Sequence, residues 1–219
     1  MRESKKNRAH QRYFLKSGEL VPGVTTITGE LGWGKDALIK WGNNLGLKGI
    51  DSTKYKDEKA DVGTLAHQMV MDYLQGIKAD YTQEYSGITI DQAENSLLSF
   101  HEWEKMNRIE PILIETPLVS EVWKYGGQID IYGKVNGELT LIDLKTGSGI
   151  YDEAIIQVSA YRPLLEEHGH KVERVRILNI PRTEDEAFTE KKVDCWDKGF
   201  EIFLHCLGIH NAKKGLKEK

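Results

Sequence analysis

Between residues 125 and 145 the chain alternates apolar and polar positions, with the alternation broken once by Asn136–Gly137. A period of two marks a half-buried strand, and Asn-Gly between two such runs marks a two-residue hairpin of type I′. The pattern predicts strands over 125–135 and 138–145, another over 110–119, and a fourth in the alternating RVRILNI at 174–180. Helical spacing predicts helices over 35–46, with Ala37, Leu38 and Trp41 on one side, and over 61–76, with Asp61 as N-cap and Gly76 closing it. Further helices are expected over 91–107, 152–167 and 194–211, the fourth kinked or broken near Pro163. Residues 1–18 read as irregular, 20–28 (LVPGVTTIT) as a short β-rich piece, and 47–60 as a polar loop. Strands alternating with helices in this order predict an α/β fold, a central mixed β-sheet flanked by helices.

The hairpin carries a chemical oddity. If Asn136 and Gly137 form the loop, Val135 pairs with Glu138, Asp130 falls opposite Asp143, and Gln128 falls opposite Lys145. Ile129, Ile131, Ile142 and Leu144 are then assigned to the other, apolar face. Opposed residues of a strand pair have Cβ atoms ~4.5–5.5 Å apart, and like charges at that distance weaken a sheet. A divalent cation between them removes the penalty, and a hard oxygen set of this kind suits Mg²⁺ or Mn²⁺. Lys145 on the same face is placed to orient a water and to offset charge growing on a scissile phosphate. His67, one helical turn after Gly63, is a candidate nitrogen ligand, and Glu115 on the neighbouring strand a candidate extension of the acidic cluster. Gln157 and Tyr161 share a helix face and are candidates for touching a DNA backbone or ordering the lysine.

A second motif leads nowhere. GELGWGKD (29–36) matches G-x-x-x-x-G-K, but Asp36 stands where a phosphate loop needs Ser or Thr, and the preceding segment contains Pro and Gly. A plain turn is the expected reading.

Composition narrows the classes. The 219 residues, 39% apolar and 29% charged, suffice for one domain with a real core. No apolar run approaches the ~18–20 residues of a membrane span, the N-terminus lacks the apolar region of a signal peptide, and a cytosolic protein is expected. Cys195 and Cys206 are too few for a disulfide framework or a four-cysteine metal site. A net charge of −4 argues against coating nucleic acid through overall charge. Cations nevertheless concentrate at Arg2, Lys5, Lys6, Arg8, Arg12 and Lys16, and with Trp33, Trp41 and Tyr13 they suggest a groove for a DNA strand.

The ordered set GTLAH (63–67), GGQID (126–130), IDLKTG (142–147) and QVSAY (157–161) resembles the motifs of the PD-(D/E)XK nuclease superfamily, in its RecB-like exonuclease branch. The likeness covers about residues 61–165, and VPGVTTIT resembles the opening of phage exonucleases and of the mitochondrial genome maintenance exonuclease. It implies a restriction-endonuclease-like core (αβββαβ) over 61–219, with residues 1–60 as an N-terminal extension of the same domain. It also implies a metal site from His67, Asp130, Asp143 and the Leu144 carbonyl, Lys145 as catalytic lysine, and DNA as substrate. Cluster-bearing relatives use four cysteines, so no iron–sulfur cluster is expected. The resemblance points to a Mg²⁺- or Mn²⁺-dependent exonuclease acting on ends of single-stranded or processed duplex DNA, in phage or bacterial recombination or repair. With no helicase motif of its own, such an enzyme would work beside a helicase, single-strand-binding or annealing protein. A structure-specific or restriction-like endonuclease and a non-catalytic DNA-binding module of the same fold are the alternatives.

Overall fold

The computed structural model describes residues 11–216; the expected basic cluster at Arg2, Lys5, Lys6 and Arg8 lies outside them. A small hairpin, β1 (Tyr13–Phe14) and β2 (Leu20–Val21), leads into a short helix α1 (Val24–Thr28), a 3₁₀ turn (Gly29–Leu31) and α2 (Lys35–Leu47). Two long helices follow, α3 (Ser52–Leu74) and α4 (Gly87–Met106). The body of the sheet is β3 (Ile109–Ser120), β4 (Tyr125–Val135) and β5 (Glu138–Lys145), then α5 (Asp152–Glu167), β6 (Arg174–Asn179), β7 (Thr189–Lys192) and α6 (Trp196–Gly215).

The five-stranded sheet has the order β3-β4-β5-β6-β7, with β5 and β6 parallel and the other neighbours antiparallel. It is the expected mixed sheet between helices. One apolar layer joins Ile129, Tyr132, Leu141 and Ile177 to α1, α5 and α6; the other joins Ile131, Ile142, Leu144 and Leu178 to α3 and α4. Among the described residues, no helix is long and apolar enough to cross a membrane.

The Asn-Gly turn forms as its chemistry requires. Asn136 and Gly137 both take positive φ, +52° and +87°, and Val135 pairs with Glu138. Asn136 Oδ1 also accepts the Arg108 N–H at 2.9 Å, tying the turn to the start of β3.

Several expectations need correction. Of the polar stretch read as a loop at 47–60, only the short connection 48–51 is one; from Ser52 on it is the front of α3, whose N-cap is Asp51, not Asp61: Asp51 Oδ1 accepts the N–H groups of Thr53 and Lys54 at 2.8 and 3.1 Å. α5 runs through Pro163 without a break, the ring lying inside a helix whose other residues are largely buried. The segment before the G-x-x-x-x-G-K stretch is the helix α1, so the loop does not leave a buried strand as a phosphate loop does. Ile129 does not share a face with Ile131.

Candidate active site

β4 and β5 pair from the turn outward as far as Ile131 and Ile142, and there the ladder ends. Beyond that point β4 stays with β3, while β5 stays with β6 through Asp143–Ile177, Leu144–Leu178 and Lys145–Asn179. The two strands form a fork. The Asp130 carboxylate spans it: its Oδ2 accepts the Leu144 N–H at 2.8 Å, replacing a ladder bond with a side-chain bond. Asp130 and Asp143 are therefore brought together, but not as the directly opposed ladder pair that strict alternation predicts. Gln128 likewise does not face Lys145; it pairs with Pro117 of β3.

The alternation also shifts on the other side of β4. The β3–β4 register includes Ile114–Ile131 and Thr116–Ile129, and the residue between them on β3, Glu115, has φ +43°. A left-handed non-glycine residue inside a strand is strained and turns the local pleat. Opposite this irregularity, Ile129 and Ile131 lie in opposite apolar layers. Strain of this kind concentrates at functional sites, and Glu115 lines the same cleft as His67 and Asp130.

Asp143 is 1% exposed. The Lys145 ammonium lies 2.7 Å from its Oδ2 and forms an ion pair with it, at an angle poorer than an ideal hydrogen bond. Lys145 Nζ also donates to Gln157 Oε1 at 3.0 Å, and Gln157 Nε2 donates to the Tyr161 hydroxyl at 2.7 Å. The helical spacing of Gln157 and Tyr161 thus serves the lysine. From α3, His67 Nδ1 approaches Asp130 Oδ2 to 3.7 Å.

Burial governs the protonation of these groups. It lifts the Asp143 carboxyl to about 6 against the pull of Lys145, with Asp130 adding to the rise. Asp130 is raised by burial too, offset by Lys145 and by the Leu144 N–H. Burial, and then the Lys145 charge, lower His67 to about 4, so the imidazole is neutral at physiological pH. Burial alone would pull Lys145 down, but Asp143 and Asp130 outweigh it and the ammonium is held more firmly than usual.

Two openings reach the fork. An open cleft of about 590 Å³ exposes His67, Glu115 and Asp130 and is flanked by Lys56, Lys59 and Arg182. A smaller one reaches Lys145 and Gln157 beside Thr28 and Tyr151, and Tyr151 is shared with an apolar cleft of about 540 Å³ containing Trp33 and Trp41. Tyr13 lies apart from these two tryptophans and packs over Gly126. Lys56, Lys59, Thr146 and Arg182 escape a reading of the sequence. The first two sit in the stretch mistaken for a loop, and their i, i+3 spacing becomes a signal only once a helix is recognised there. Gly63 has a definite reason: a Cβ there would lie 2.7 Å from Thr146 Oγ1.

For a divalent cation the donor chemistry fits: two carboxylates, one of them almost fully buried, beside a neutral imidazole. The set is not drawn together, however. Among the described residues no three His, Cys, Asp or Glu side chains stand as a cation-holding group, and the Lys145 ammonium lies beside Asp143.

Comparison with known proteins adds one result. A candidate exonuclease from Eubacterium rectale superposes with a TM-score of 0.52 at 14% identity, over 69% of this chain and 65% of that one. The fold is shared. The aligned part spans just under two thirds of that protein. LHK-Exo in complex with dAMP aligns over 74% of this chain and 92% of its own at 13% identity, with a TM-score of 0.33. No family model matches the chain, and no curated protein does.

Proposed function

We propose that this protein is a metal-dependent deoxyribonuclease of the PD-(D/E)XK type that removes nucleotides from DNA ends. The observation that carries the reading is the fork, where Asp130, Asp143 and a lysine held by Gln157 converge at the end of a strand ladder. Burying two carboxylates side by side costs stability, and a binding module has no use for them against anionic DNA. Asp130, Asp143 and the Leu144 carbonyl, with His67 beside them, would hold Mg²⁺ or Mn²⁺. The cation would supply activation of water and polarisation of the phosphoryl oxygens. Lys145, kept protonated by its acidic neighbours, acts as a fixed positive charge for the scissile phosphate and as a donor orienting the attacking water, not as a base. Gln157 and Tyr161 hold that ammonium in line. The exonuclease mode is supported by the name of the Eubacterium rectale protein that shares the fold.

The deciding experiment uses single-stranded DNA labelled at either end, with Mg²⁺, Mn²⁺ or EDTA, and Lys145→Ala as control. The expected result is metal-dependent release of mononucleotides from one end, abolished by EDTA and lowered by about 10²-fold or more in the variant. Intermediate fragments from circular DNA would establish an endonuclease instead. Absence of cleavage by folded protein with either metal would overturn the enzyme reading.

A further inference from the structure

The fork raises a question of restraint. From Tyr125 to Asp130, β4 has lost β5 as its neighbour, yet Asp130 must be held to a fraction of an ångström. The N-terminal hairpin stands in for the missing strand. Gly126 N–H donates to Pro22 O at 3.0 Å, and Gly23 forms an isolated parallel bridge with Gly126. The hairpin is itself anchored by buried Leu15 and by Lys16 N–H donating to Glu121 Oε1 at 2.8 Å.

Two tyrosines occupy the room left by the paired glycines. A Cβ on Gly126 would lie 2.2 Å from Tyr13 Cγ, overlapping the base of its ring, and a Cβ on Gly127 would lie 2.6 Å from Tyr161 Cε1. Successive Cβ directions on a strand point to opposite faces, so β4 is gripped by one ring on each face. Gly23 closes on the first ring too, its Cβ position 3.0 Å from Tyr13 Cε2. Beyond the glycines, Tyr161 continues through Gln157 to Lys145. One clamp therefore bears on both halves of the site.

We infer that Tyr13 is a positioning residue: its ring, seated on Gly126, fixes the segment of β4 that β5 has left and with it the Asp130 carboxylate. The catalytic part of this inference rests on the nuclease reading above; the structural part does not.

The test compares Tyr13→Ala with Tyr13→Phe, which keeps the ring, and with Gly126→Ala, which expels the ring while leaving Tyr13 in the sequence. Amide exchange in metal-free protein is read at Leu144, whose N–H is held by Asp130, and at Ile177 in the neighbouring strand β6 as an internal reference. The expected result is Leu144 exchange accelerated about tenfold or more in Tyr13→Ala and Gly126→Ala, unchanged protection at Ile177, and wild-type behaviour restored in Tyr13→Phe. With end-labelled DNA, kcat should fall about tenfold or more in the first two while KM stays within about threefold. Unchanged Leu144 exchange in Tyr13→Ala would overturn the inference, as would a loss confined to KM, which would make Tyr13 a DNA contact. If the wild-type protein cleaves no DNA, the nuclease reading fails while the exchange measurement still decides the clamp. If Tyr13→Ala does not fold, Gly126→Ala and Tyr13→Phe decide it.

Discussion

At Asp143 the fold buries a carboxylate at the expense of stability. Its carboxyl lies at about 6 in the fold against 3.8 as an ordinary aspartate, because burial disfavours the charge more than Lys145 favours it. The folded state then holds more protons than the unfolded chain between those values. Stability therefore falls as pH rises through that window and stays lowered above it. His67 works the other way. Lowered from 6.5 to about 4, it takes up a proton on unfolding, so stability falls as pH drops through that range. In the metal-free protein the two slopes oppose each other and the acid limb is shallow. Asp143→Asn is expected to raise stability at pH 7.5 by on the order of 1–3 kcal/mol, a few degrees of melting temperature. It should also expose the His67 slope as a steeper loss between pH 6.5 and 4. Denaturant titrations in EDTA across this range measure both effects. A variant no more stable than wild type at pH 7.5 would show that Lys145 fully compensates the buried charge.

Among the elements, the hairpin that delivers the site depends on its turn. Gly137 sits at φ +87°, where a Cβ is resisted, although no atom stands in its way. Gly137→Ala should cost about 1–2 kcal/mol by denaturant unfolding with the register kept, since buried Ile131, Ile142 and Leu144 would all change face on a one-residue slip. A loss well above that range would mean that the turn, not the apolar pattern, holds the register. The same strength of signal made β4, β5 and α5 legible from sequence to the residue. Short-range turn chemistry and dense periodicity agreed there. The front of α3 was not legible, because its polar residues form no apolar stripe and capping by Asp51 carries the start. β7, a four-residue polar edge strand of sequence TEKK, offers no alternation to read. The carboxylates, the lysine and the Gln-Tyr pair were visible as residue types at fixed spacings. The fork was hidden, because neither a ladder that ends early nor a left-handed Glu115 leaves a mark in a hydrophobic pattern.

At the scale of the molecule, an overall charge of −4 has to be reconciled with the polyanionic substrate proposed above. Charge near the cleft decides, because at physiological ionic strength screening confines electrostatic reach to about 8 Å. The cleft over His67 and Asp130 is flanked by Lys56 and Lys59 on α3 and by Arg182, which is ion-paired with Glu186. A site with so few cations should bind a single strand with a modest salt dependence. Each neutralised phosphate contributes about −0.7 to the slope of log K against log salt, so two lysines and one arginine account for about −2. Replacing Lys56 and Lys59 together with alanine should reduce the slope by about 1.4 and weaken binding similarly for every sequence. Fluorescence anisotropy with a labelled oligonucleotide between 50 and 300 mM salt, in EDTA to prevent cleavage, measures both quantities. An unchanged slope would move the strand to the other opening, where Lys145 and Tyr151 lead towards Trp33 and Trp41. Contact there would depend on stacking more than on charge, and salt would matter correspondingly less.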